Sequence, residues 1–592
     1  MKSDRAPEMG RGAPGRAGAG PVFRMPSVLS RLLRRFACIK ATSGHERLAL
    51  CAVILLHAAA LIAMMVTEID PIAKVAFLLA WSSLNYFWLA LSRRPVVAAL
   101  LSLEIVVGLM LLSRFKFDKL WMTVDFVDLM IVDQDTSAFL LAAFPSLRGW
   151  IALAAACTAA ALVGAWLLDP YRVRPRISLI GGSLSAAGLV VLSLTVPTDL
   201  NEDFVSGNYL SKFARTGVEA IREFYSQGYL QADASAAHRL DPAPLDCRPE
   251  GKLPHIILLH DESSFDISDA PGIKVSSGYR HHFQSSDGKA RKLLVEGAGG
   301  PSWFTEFNVL TGLSVRSFGR FATSATRIAA GRVGQGLPHA LGRCGYKTYS
   351  LYPFYGEFLG SRAFQTTAGV ARYLDMLDLG TRDFEADRFY FERAAGIIAR
   401  ERSHGPLFLY VYTVANHFPW DSRLRPELTP DWRDLGNAPE VEEYIRRQGM
   451  TAQDYSGLRA RLTREFPTES FLIVRYGDHQ PRFAPRVIDP LFSEQEISRR
   501  LKASDQRYLT TYYAVDALNF TPVDLSSALD NLDAPYLPLI IQDAAGVPLD
   551  PGFSEQKRIL QRCHGLFYRC ADGAEVRRFN RLLIEAGSLR GL

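Results

Sequence analysis

The chain has 592 residues, too many for one ordinary hydrophobic core, so the sequence predicts several domains. Its net charge of +6 is concentrated at the amino terminus, where residues 1–47 contain ten Lys or Arg and three Asp or Glu. This segment is rich in Gly, Ala and Pro, and we predict a disordered basic tail on the cytoplasmic side of a membrane. A nucleic-acid-binding arm is the alternative, but no aromatic or motif pattern supports it, so we expect no nucleic-acid partner.

Five apolar runs follow the tail, and each is about long enough to cross a ~30 Å hydrocarbon core as a helix. They span residues 48–67, 73–92, 96–113, 150–168 and 177–196. Buried helices of a soluble core are a weak alternative, because all five runs crowd into about 150 residues. The first run lies too deep in the chain to be a cleaved signal peptide. The sequence therefore predicts a five-helix transmembrane domain over residues 48–196.

Charged residues in the connecting loops predict the orientation of these helices. The loops after the second and fourth runs are basic, with Arg93, Arg94, Arg172, Arg174 and Arg176, while the loop after the first run is acidic. By the positive-inside rule the amino terminus is cytoplasmic, and five crossings leave everything after Val196 outside. Three cations between the third and fourth runs oppose the pattern: Arg114, Lys116 and Lys119. We predict an inner (plasma) membrane protein with an extracytoplasmic, periplasmic carboxy-terminal domain.

Residues 197–252 are predicted to connect the membrane domain to a soluble domain over residues 253–592. Within them, residues 204–230 have the pattern of an amphipathic helix at the membrane surface. Its apolar face contains Leu210, Phe213, Ile221 and Phe224, and its cations Lys212, Arg215 and Arg222 lie elsewhere. A linker rich in Ala, Asp and Pro follows.

Four of the seven cysteines lie in the predicted extracytoplasmic part: Cys247, Cys344, Cys563 and Cys570. An even number of cysteines in an oxidising compartment permits two disulfides. Cys563 and Cys570 would close a short loop, leaving Cys247 with Cys344, although four reduced thiols are the alternative. No CxxC motif occurs, which argues against a structural zinc site.

From residue 253 onward, short apolar runs alternate with helical stretches, which predicts an α/β domain with a largely parallel sheet. The predicted strands are 255–260, 292–297, 346–352, 407–414 and 471–477, and the predicted helices include 385–401 and 452–465. In such sheets, ligands bind at the carboxyl ends of the strands.

Polar residues follow these strands where a site would lie: Asp261 and Glu262, Asn416 and His417, and Asp478 and His479. Each alone is equally well explained as a cap, a turn or a surface charge. Their recurrence at successive strand ends favours a metal site, because carboxylate and imidazole groups are good ligands for Zn²⁺ or Mn²⁺.

The glycine-rich turn "GAGGPS" follows the second strand and ends at Ser302. Pro301 suits a first helical position, so Ser302 is expected at the start of a helix. There the positive end of the helix favours a bound phosphate, and a nearby divalent ion would make the hydroxyl a better nucleophile. The alternative is that Ser302 simply caps the helix.

These motifs resemble the lipoteichoic acid synthase and phosphoglycerol transferase group of the alkaline phosphatase–sulfatase superfamily. The resemblance implies five transmembrane helices followed by a sulfatase-like domain, and one divalent metal ion (Mn, Mg or Zn). "HDESSFD" and "YGDH" match the family's metal motifs, "NHFP" its phosphate-contacting histidine, and "FLGSR" its phosphate-contacting arginine. The implied metal ligands are Glu262, Ser302, Asp478 and His479, the implied nucleophile is Ser302 in place of the family's Thr, and the implied phosphate contacts are His417 and Arg362.

The resemblance implies transfer of a phospholipid head group, phosphoglycerol or phosphoethanolamine, to an extracytoplasmic glycan or lipid acceptor through a covalent Ser302 intermediate. A hydrolase of the same superfamily, with water as acceptor, is one alternative. A true sulfatase is disfavoured because the C/S-x-P-x-R motif is absent at Ser302. A membrane protein that only binds a polymer or lipid is the other alternative, but the metal and nucleophile positions are intact.

Overall fold

The computed structural model describes residues 44–199, 206–236, 238–240, 247–249 and 251–592. Most of the predicted basic tail, and parts of the predicted linker, lie outside these residues. Among the described residues, eight α-helices precede the first strand: α1 (Gly44–Thr67), α2 (Pro71–Ser92), α3 (Pro95–Leu120), α4 (Phe126–Ile131), α5 (Gln134–Ala143), α6 (Leu147–Leu168), α7 (Pro175–Thr195) and α8 (Tyr209–Gln227).

Within the described residues, five helices are long and apolar enough to cross a membrane: α1, α2, α3, α6 and α7. They confirm the five apolar helices expected from the sequence. The basic loops after α2 and α6 contact each other, because Val173 N donates to Arg93 O at 2.9 Å and Val96 N donates to Asp169 Oδ2 at 2.7 Å. The two arginine-containing loops therefore lie at one end of the bundle.

Helix α8 occupies the region expected to be amphipathic, but its surroundings differ from a simple surface helix. Leu210 is buried against membrane helices, and Phe213 packs on Phe126 with ring centroids 5.5 Å apart. The cations Lys212 and Arg215 are also buried, and Lys212 Nζ donates to Thr123 Oγ1 at 2.7 Å. These two cations are buried because α8 contacts α2, α3, α4 and α7 on several sides.

The following domain is built on an eight-stranded sheet in the order β4-β3-β5-β1-β6-β7-β2-β8. The strands are β1 (His255–Asp261), β2 (Arg291–Leu294), β3 (Lys347–Leu351), β4 (Arg372–Leu374), β5 (Leu407–Tyr412), β6 (Phe471–Gly477), β7 (Thr510–Leu518) and β8 (Asn531–Asp533). All five strands expected from the sequence are present. Their neighbours pair in parallel except around β7, which is antiparallel to β6 and to β2.

Helices cover both faces of this sheet, as expected for a sheet whose parallel central strands β1, β5 and β6 are buried throughout. They are α9 (Ser302–Thr311), α10 (Ala325–Ala329), α11 (Leu337–Arg343), α12 (Ser361–Thr367), α13 (Met376–Leu379), α14 (Asp387–Glu401), α15 (Pro439–Glu465), α16 (Ala484–Ile488), α17 (Glu494–Lys502), α18 (Leu537–Ala545), α19 (Pro551–Cys563) and α20 (Ala574–Glu585). Alternate β1 residues pack into two separate cores: Ile256 and Leu258 on one face, Ile257 and Leu259 on the other.

Two disulfides stabilise this domain and confirm the pairing expected from the sequence. Cys247 is bonded to Cys344 across 97 residues, and Cys563 to Cys570 across 7. The first bond attaches the linker to the domain just after α11, and the second closes the turn that follows α19.

The longer disulfide should contribute more to stability, because it removes more conformational entropy from the unfolded chain. We expect replacement of Cys247 and Cys344 by Ser to cost about 4.7 kcal/mol and replacement of Cys563 and Cys570 about 2.5 kcal/mol. The Tm of each purified double variant in detergent, compared with the native protein, measures the difference. A larger fall in Tm for the Cys563/Cys570 variant would contradict this ranking.

Candidate active site and metal centre

The carboxyl ends of β1 and β6 create the centre of the site. These strands pair in parallel, and the register sets Asp261 opposite Gly477, so that Glu262 and Asp478 follow side by side. Gly477 has no room for a side chain, since a Cβ there would lie 1.8 Å from Ser264 O. The glycine before Asp478 thus permits the loop after β1 to close over the end of β6.

Asp478 fixes the backbone around it through one of its two carboxylate oxygens. Its Oδ1 accepts hydrogen bonds from Ser263 N at 2.6 Å and from His479 N at 2.8 Å. Ser263 has a left-handed φ of +50°, which is uncommon for a residue other than glycine. The hydrogen bond to the buried carboxylate offsets the cost of this conformation.

Ser302 meets both loops at the first residue of α9. Its Oγ donates to Glu262 Oε2 at 3.1 Å and lies 3.1 Å from His479 Nε2. Pro301 is the residue that caps the helix, and the cap makes no side-chain hydrogen bond. The alternative interpretation of Ser302 as a simple helix cap is therefore wrong, since its hydroxyl faces the two ligand-type side chains.

Three buried side chains bring their ligand atoms within 4.8 Å of one another: His260, Glu262 and Asp478. Within the described residues, Asp478 Oδ2 and His260 Nε2 are buried without a hydrogen-bond partner, although they lie only 3.2 Å apart. A bound cation would satisfy both atoms, so the donor set fits a divalent metal ion. His479 Nε2 lies 3.5 Å from Glu262 Oε1 and extends the same cluster.

His260 is absent from the ligands suggested by the sequence, although the strand pattern contains a signal for it. Residues two apart in a strand face the same side, so His260 shares its side with Glu262. Its Nδ1 lies 2.9 Å from Tyr410 OH and 2.8 Å from Tyr476 OH, which orients Nε2 towards Asp478. The apolar run around it, "HIILLH", made this histidine look like part of a buried strand.

The charges in the cluster stabilise one another. Burial would raise the pKa of Glu262, but the contact with His479 and the nearby imidazoles of His417 and His479 hold that pKa well below its usual range. Burial would lower the pKa of His479, but Asp478 and Glu262 raise it to about 9. The carboxylate of Glu262 is therefore held in its charged form, as a metal ligand requires, whereas His479 has to lose a proton before its Nε2 can bind a cation.

His417 lies in the loop after β5, beside the cluster of candidate metal ligands. Its Nδ1 lies 2.7 Å from Phe418 O, and its ring packs among Phe354, Phe384 and Phe418. Burial lowers the pKa of His417. Donation of the Nδ1 proton to the carbonyl leaves Nε2 with a lone pair, available to exchange a proton.

Arg447 of α15 holds the loop that contains His417, and no pattern in the sequence points to it. Its guanidinium donates to His417 O at 2.7 Å and to Pro419 O at 2.8 Å, and it is paired with Glu443 at 2.6 Å. Because the buried guanidinium of Arg447 binds both Glu443 and the loop carbonyls, it holds the loop in position.

Arg362 makes no hydrogen bond or ion pair with Glu262, Ser302, Asp478 or His479 within the described residues. Its side chain is 40% exposed, pairs with Asp375 at 2.5 Å and stacks over Tyr373 at 4.8 Å. The structure therefore brings together the four suggested metal ligands, with His417 beside them, and directs Arg362 towards a carboxylate.

Solved structures similar to this chain include three bacterial proteins. The phosphoglycerol transferase GacH of Streptococcus pyogenes, in complex with sn-glycerol-1-phosphate, is 14% identical, with a TM-score of 0.44 over 57% of this chain and 87% of that chain. The lipoteichoic acid synthase LtaP of Listeria monocytogenes is 14% identical, with a TM-score of 0.37 over 56% and 78%. The lipooligosaccharide phosphoethanolamine transferase EptA of Neisseria meningitidis is 12% identical, with a TM-score of 0.40 over 81% and 96%.

A search of curated protein sequences finds no match. The sulfatase family model matches residues 299–511, a span that begins just before Ser302 and ends in β7. It contains Arg362, His417, Asp478 and His479, while Glu262 lies before it. Behind its five apolar helices the chain is therefore similar to the sulfatase family over residues 299–511.

Proposed function

We propose that this protein is a metal-dependent membrane phosphotransferase that uses Ser302 as its nucleophile. The donor is a membrane phospholipid whose phosphoglycerol or phosphoethanolamine head group passes to an extracytoplasmic glycan or lipid acceptor. The observation that carries the proposal is the position of the Ser302 hydroxyl, 3.1 Å from both Glu262 and His479 and beside a buried cluster with two unsatisfied ligand atoms.

One divalent cation, Mn, Mg or Zn, would be held by Glu262, Ser302, Asp478 and His479. His260 is a further ligand or a support for Asp478, since its Nε2 faces the same oxygen. When bound, the cation supplies positive charge that lowers the pKa of the serine hydroxyl and offsets the charge of the phosphate.

In the first step, Ser302 Oγ attacks the phosphorus of the donor phosphodiester. The bond from phosphorus to the diacylglycerol oxygen breaks, and that oxygen takes up a proton as diacylglycerol leaves. The proton that Ser302 loses balances the one that the diacylglycerol oxygen gains, and the hydrogen bond from Ser302 Oγ to Glu262 Oε2 orients the attacking hydroxyl. The head group remains on Ser302 as a phosphodiester until an acceptor hydroxyl attacks, releasing the serine and returning its proton.

His417 and Arg362 are the proposed contacts to the phosphate. The free Nε2 of His417 suits proton exchange with the leaving or attacking oxygen. Arg362 pairs with Asp375, so phosphate binding must share or replace that ion pair. A phosphate offers the guanidinium the same bidentate geometry as a carboxylate.

The arrangement of the membrane part supports a lipid donor and an extracytoplasmic site. The loops with Arg93 and Arg94 and with Arg172–Arg176 lie at one end of the bundle. At the opposite end, helix α8 contacts the catalytic domain, because Glu219 pairs with Arg320 at 2.6 Å. Basic loops face the cytoplasm, so the catalytic domain lies outside, where ATP is scarce and phospholipid is at hand.

A hydrolase with the same first step is the nearest alternative and differs only in using water as the acceptor. A protein that only binds lipid or polymer is disfavoured by the serine at the helix start, since binding alone does not require a hydroxyl in contact with Glu262 and His479.

Incubation with phospholipid should add the mass of one head-group phosphate to the protein, at Ser302. Ser302→Ala should abolish both the adduct and the transfer, because it removes the attacking hydroxyl. It should lower the free energy of unfolding by only about 1 kcal/mol, because Tyr412 OH still donates to Glu262 Oε2 at 3.2 Å. Intact-mass analysis and release of labelled diacylglycerol provide the measurement. Ser302→Thr keeps a hydroxyl and is the matched control, expected to retain part of the activity. Normal turnover by the Ser302→Ala variant would show that Ser302 is not the nucleophile.

Asp478→Asn should reduce bound metal and transfer together, because it weakens a ligand whose Oδ2 makes no hydrogen bond within the described residues. We expect metal affinity to fall by at least about 10-fold. Asp387→Asn is the control, since burial raises the pKa of Asp387 to about 8 and the amide resembles its protonated form. Elemental analysis after dialysis measures the metal bound by each variant. Equal metal content in Asp478→Asn and Asp387→Asn would contradict the proposed ligand set.

The catalytic domain should lie outside the cytoplasm. A reporter that is active only in an oxidising compartment, fused after residue 592, should therefore be active, whereas the same reporter placed after Arg94 should be inactive. Activity of a cytoplasm-specific reporter at the carboxy terminus would reverse the proposed orientation.

A further inference from the structure

Arg482 lies beside the two loops that carry the proposed nucleophile and a proposed metal ligand. It follows His479 by three residues, and Gly299 N donates to Gln480 O at 3.2 Å, which joins the two loops. The backbone of Arg482 packs against Gly299, where a Cβ would lie 3.4 Å from Arg482 Cα. Arg482 therefore stands at the rim of the site, next to the turn that leads to Ser302.

The side chain of Arg482 extends to the membrane part of the protein. Its guanidinium carbon lies 3.8 Å from the centroid of Trp121, the residue that ends helix α3. Trp150, in the first turn of α6, is exposed at the same end of the bundle. Tryptophan favours the boundary between hydrocarbon and water, so these rings indicate the bilayer surface. Arg482 thus spans the short distance between that surface and the rim of the site.

The charge of Arg482 is not neutralised by a carboxylate. Within the described residues its guanidinium makes no ion pair and no hydrogen bond, whereas the neighbouring arginines are all paired. Those pairs are Arg475 with Asp516, Arg486 with Glu494, Arg499 and Arg500 with Glu496, and Arg507 with Asp505. The stack on Trp121 covers one face of the guanidinium and leaves its edge, with the N–H donors, for a ligand. The planar fork of donors matches a phosphate.

We propose that Arg482, held over the ring of Trp121, binds the phosphate of a phospholipid at the outer bilayer surface and orients that lipid towards Ser302. The inference rests on the proposed function, since it adds a recognition residue for the lipid donor. A bilayer phospholipid fits better than free phosphate, because the cation lies against an interfacial tryptophan.

Binding of dicapryl phosphatidylglycerol to the full-length protein in detergent tests this inference by native mass spectrometry. Arg482→Gln should weaken binding by about 10-fold or more, as expected for the loss of a charged hydrogen bond. Arg482→Lys should restore part of the affinity, because it keeps the charge but loses the fork. Trp121→Ala should weaken binding, and Trp121→Phe should weaken it less. Arg486→Gln is the matched control: it removes a nearby charge that is already paired with Glu494 at 2.6 Å.

Wild-type affinity in Arg482→Gln, or an equal loss in Arg486→Gln, would overturn the proposal. Displacement of the lipid by an equal concentration of inorganic phosphate would overturn the lipid assignment in favour of a plain anion site. On phosphatidylcholine vesicles containing phosphatidylglycerol, Arg482→Gln should raise KM by about as much as it weakens binding and lower kcat less. A wild-type protein without turnover would refute the proposed function, while the binding series would still decide the role of Arg482.

Discussion

The parallel pairing of β1 with β6 is the constraint on which the candidate site depends. Parallel strands end at the same edge of a sheet, so this one register brings Glu262 and Asp478 together and sets the position of His479. Asp478 then holds the backbone of Ser263, which closes the loop over the site. A slip of one residue in either strand would turn its side chains to the other face and separate the ligands.

Much of this arrangement follows from the sequence, because strand ends and helix starts have local signals. Apolar runs gave the strands, and the carboxyl-end rule selected Glu262, Asp478 and His479. Buried polar groups were harder to find, since their role depends on partners distant in the chain. His260 sits in an apolar strand, where its shared side with Glu262 is a weak signal, and its 3.2 Å contact with Asp478 makes it a ligand candidate. Arg482 has no sequence signal, because Trp121 comes from a membrane helix.

Helix α15 is a second case in which the role of buried polar residues could not be predicted from the sequence. Its expected start at residue 452 is wrong by 13 residues, since the structure has the helix from Pro439. The missed part, "PEVEEYIRRQGMT", has Val441, Tyr444 and Ile445 at helical spacing, but its many charged residues make it look exposed. Its charges are buried in pairs, with Glu443 contacting both Arg446 and Arg447. That polar stretch supports the His417 loop, so the segment least like a core element is one that the site requires.

The junction between membrane and catalytic parts determines what the site can reach. Arg320 of the catalytic domain pairs with Glu219 of α8 and donates to Thr198 Oγ1 at 2.7 Å, just after the last membrane helix. Glu219 also accepts from Thr198 N at 2.8 Å, so three buried groups satisfy one another. A buried ion pair with its hydrogen bonds is directional, and separating it would leave charges unpaired in a low-dielectric region. The catalytic domain is thus fixed to the helices at a defined orientation, rather than tethered by the linker alone. This attachment fits the proposed lipid donor, whose phosphate lies at the depth of the head groups, better than it fits a soluble substrate.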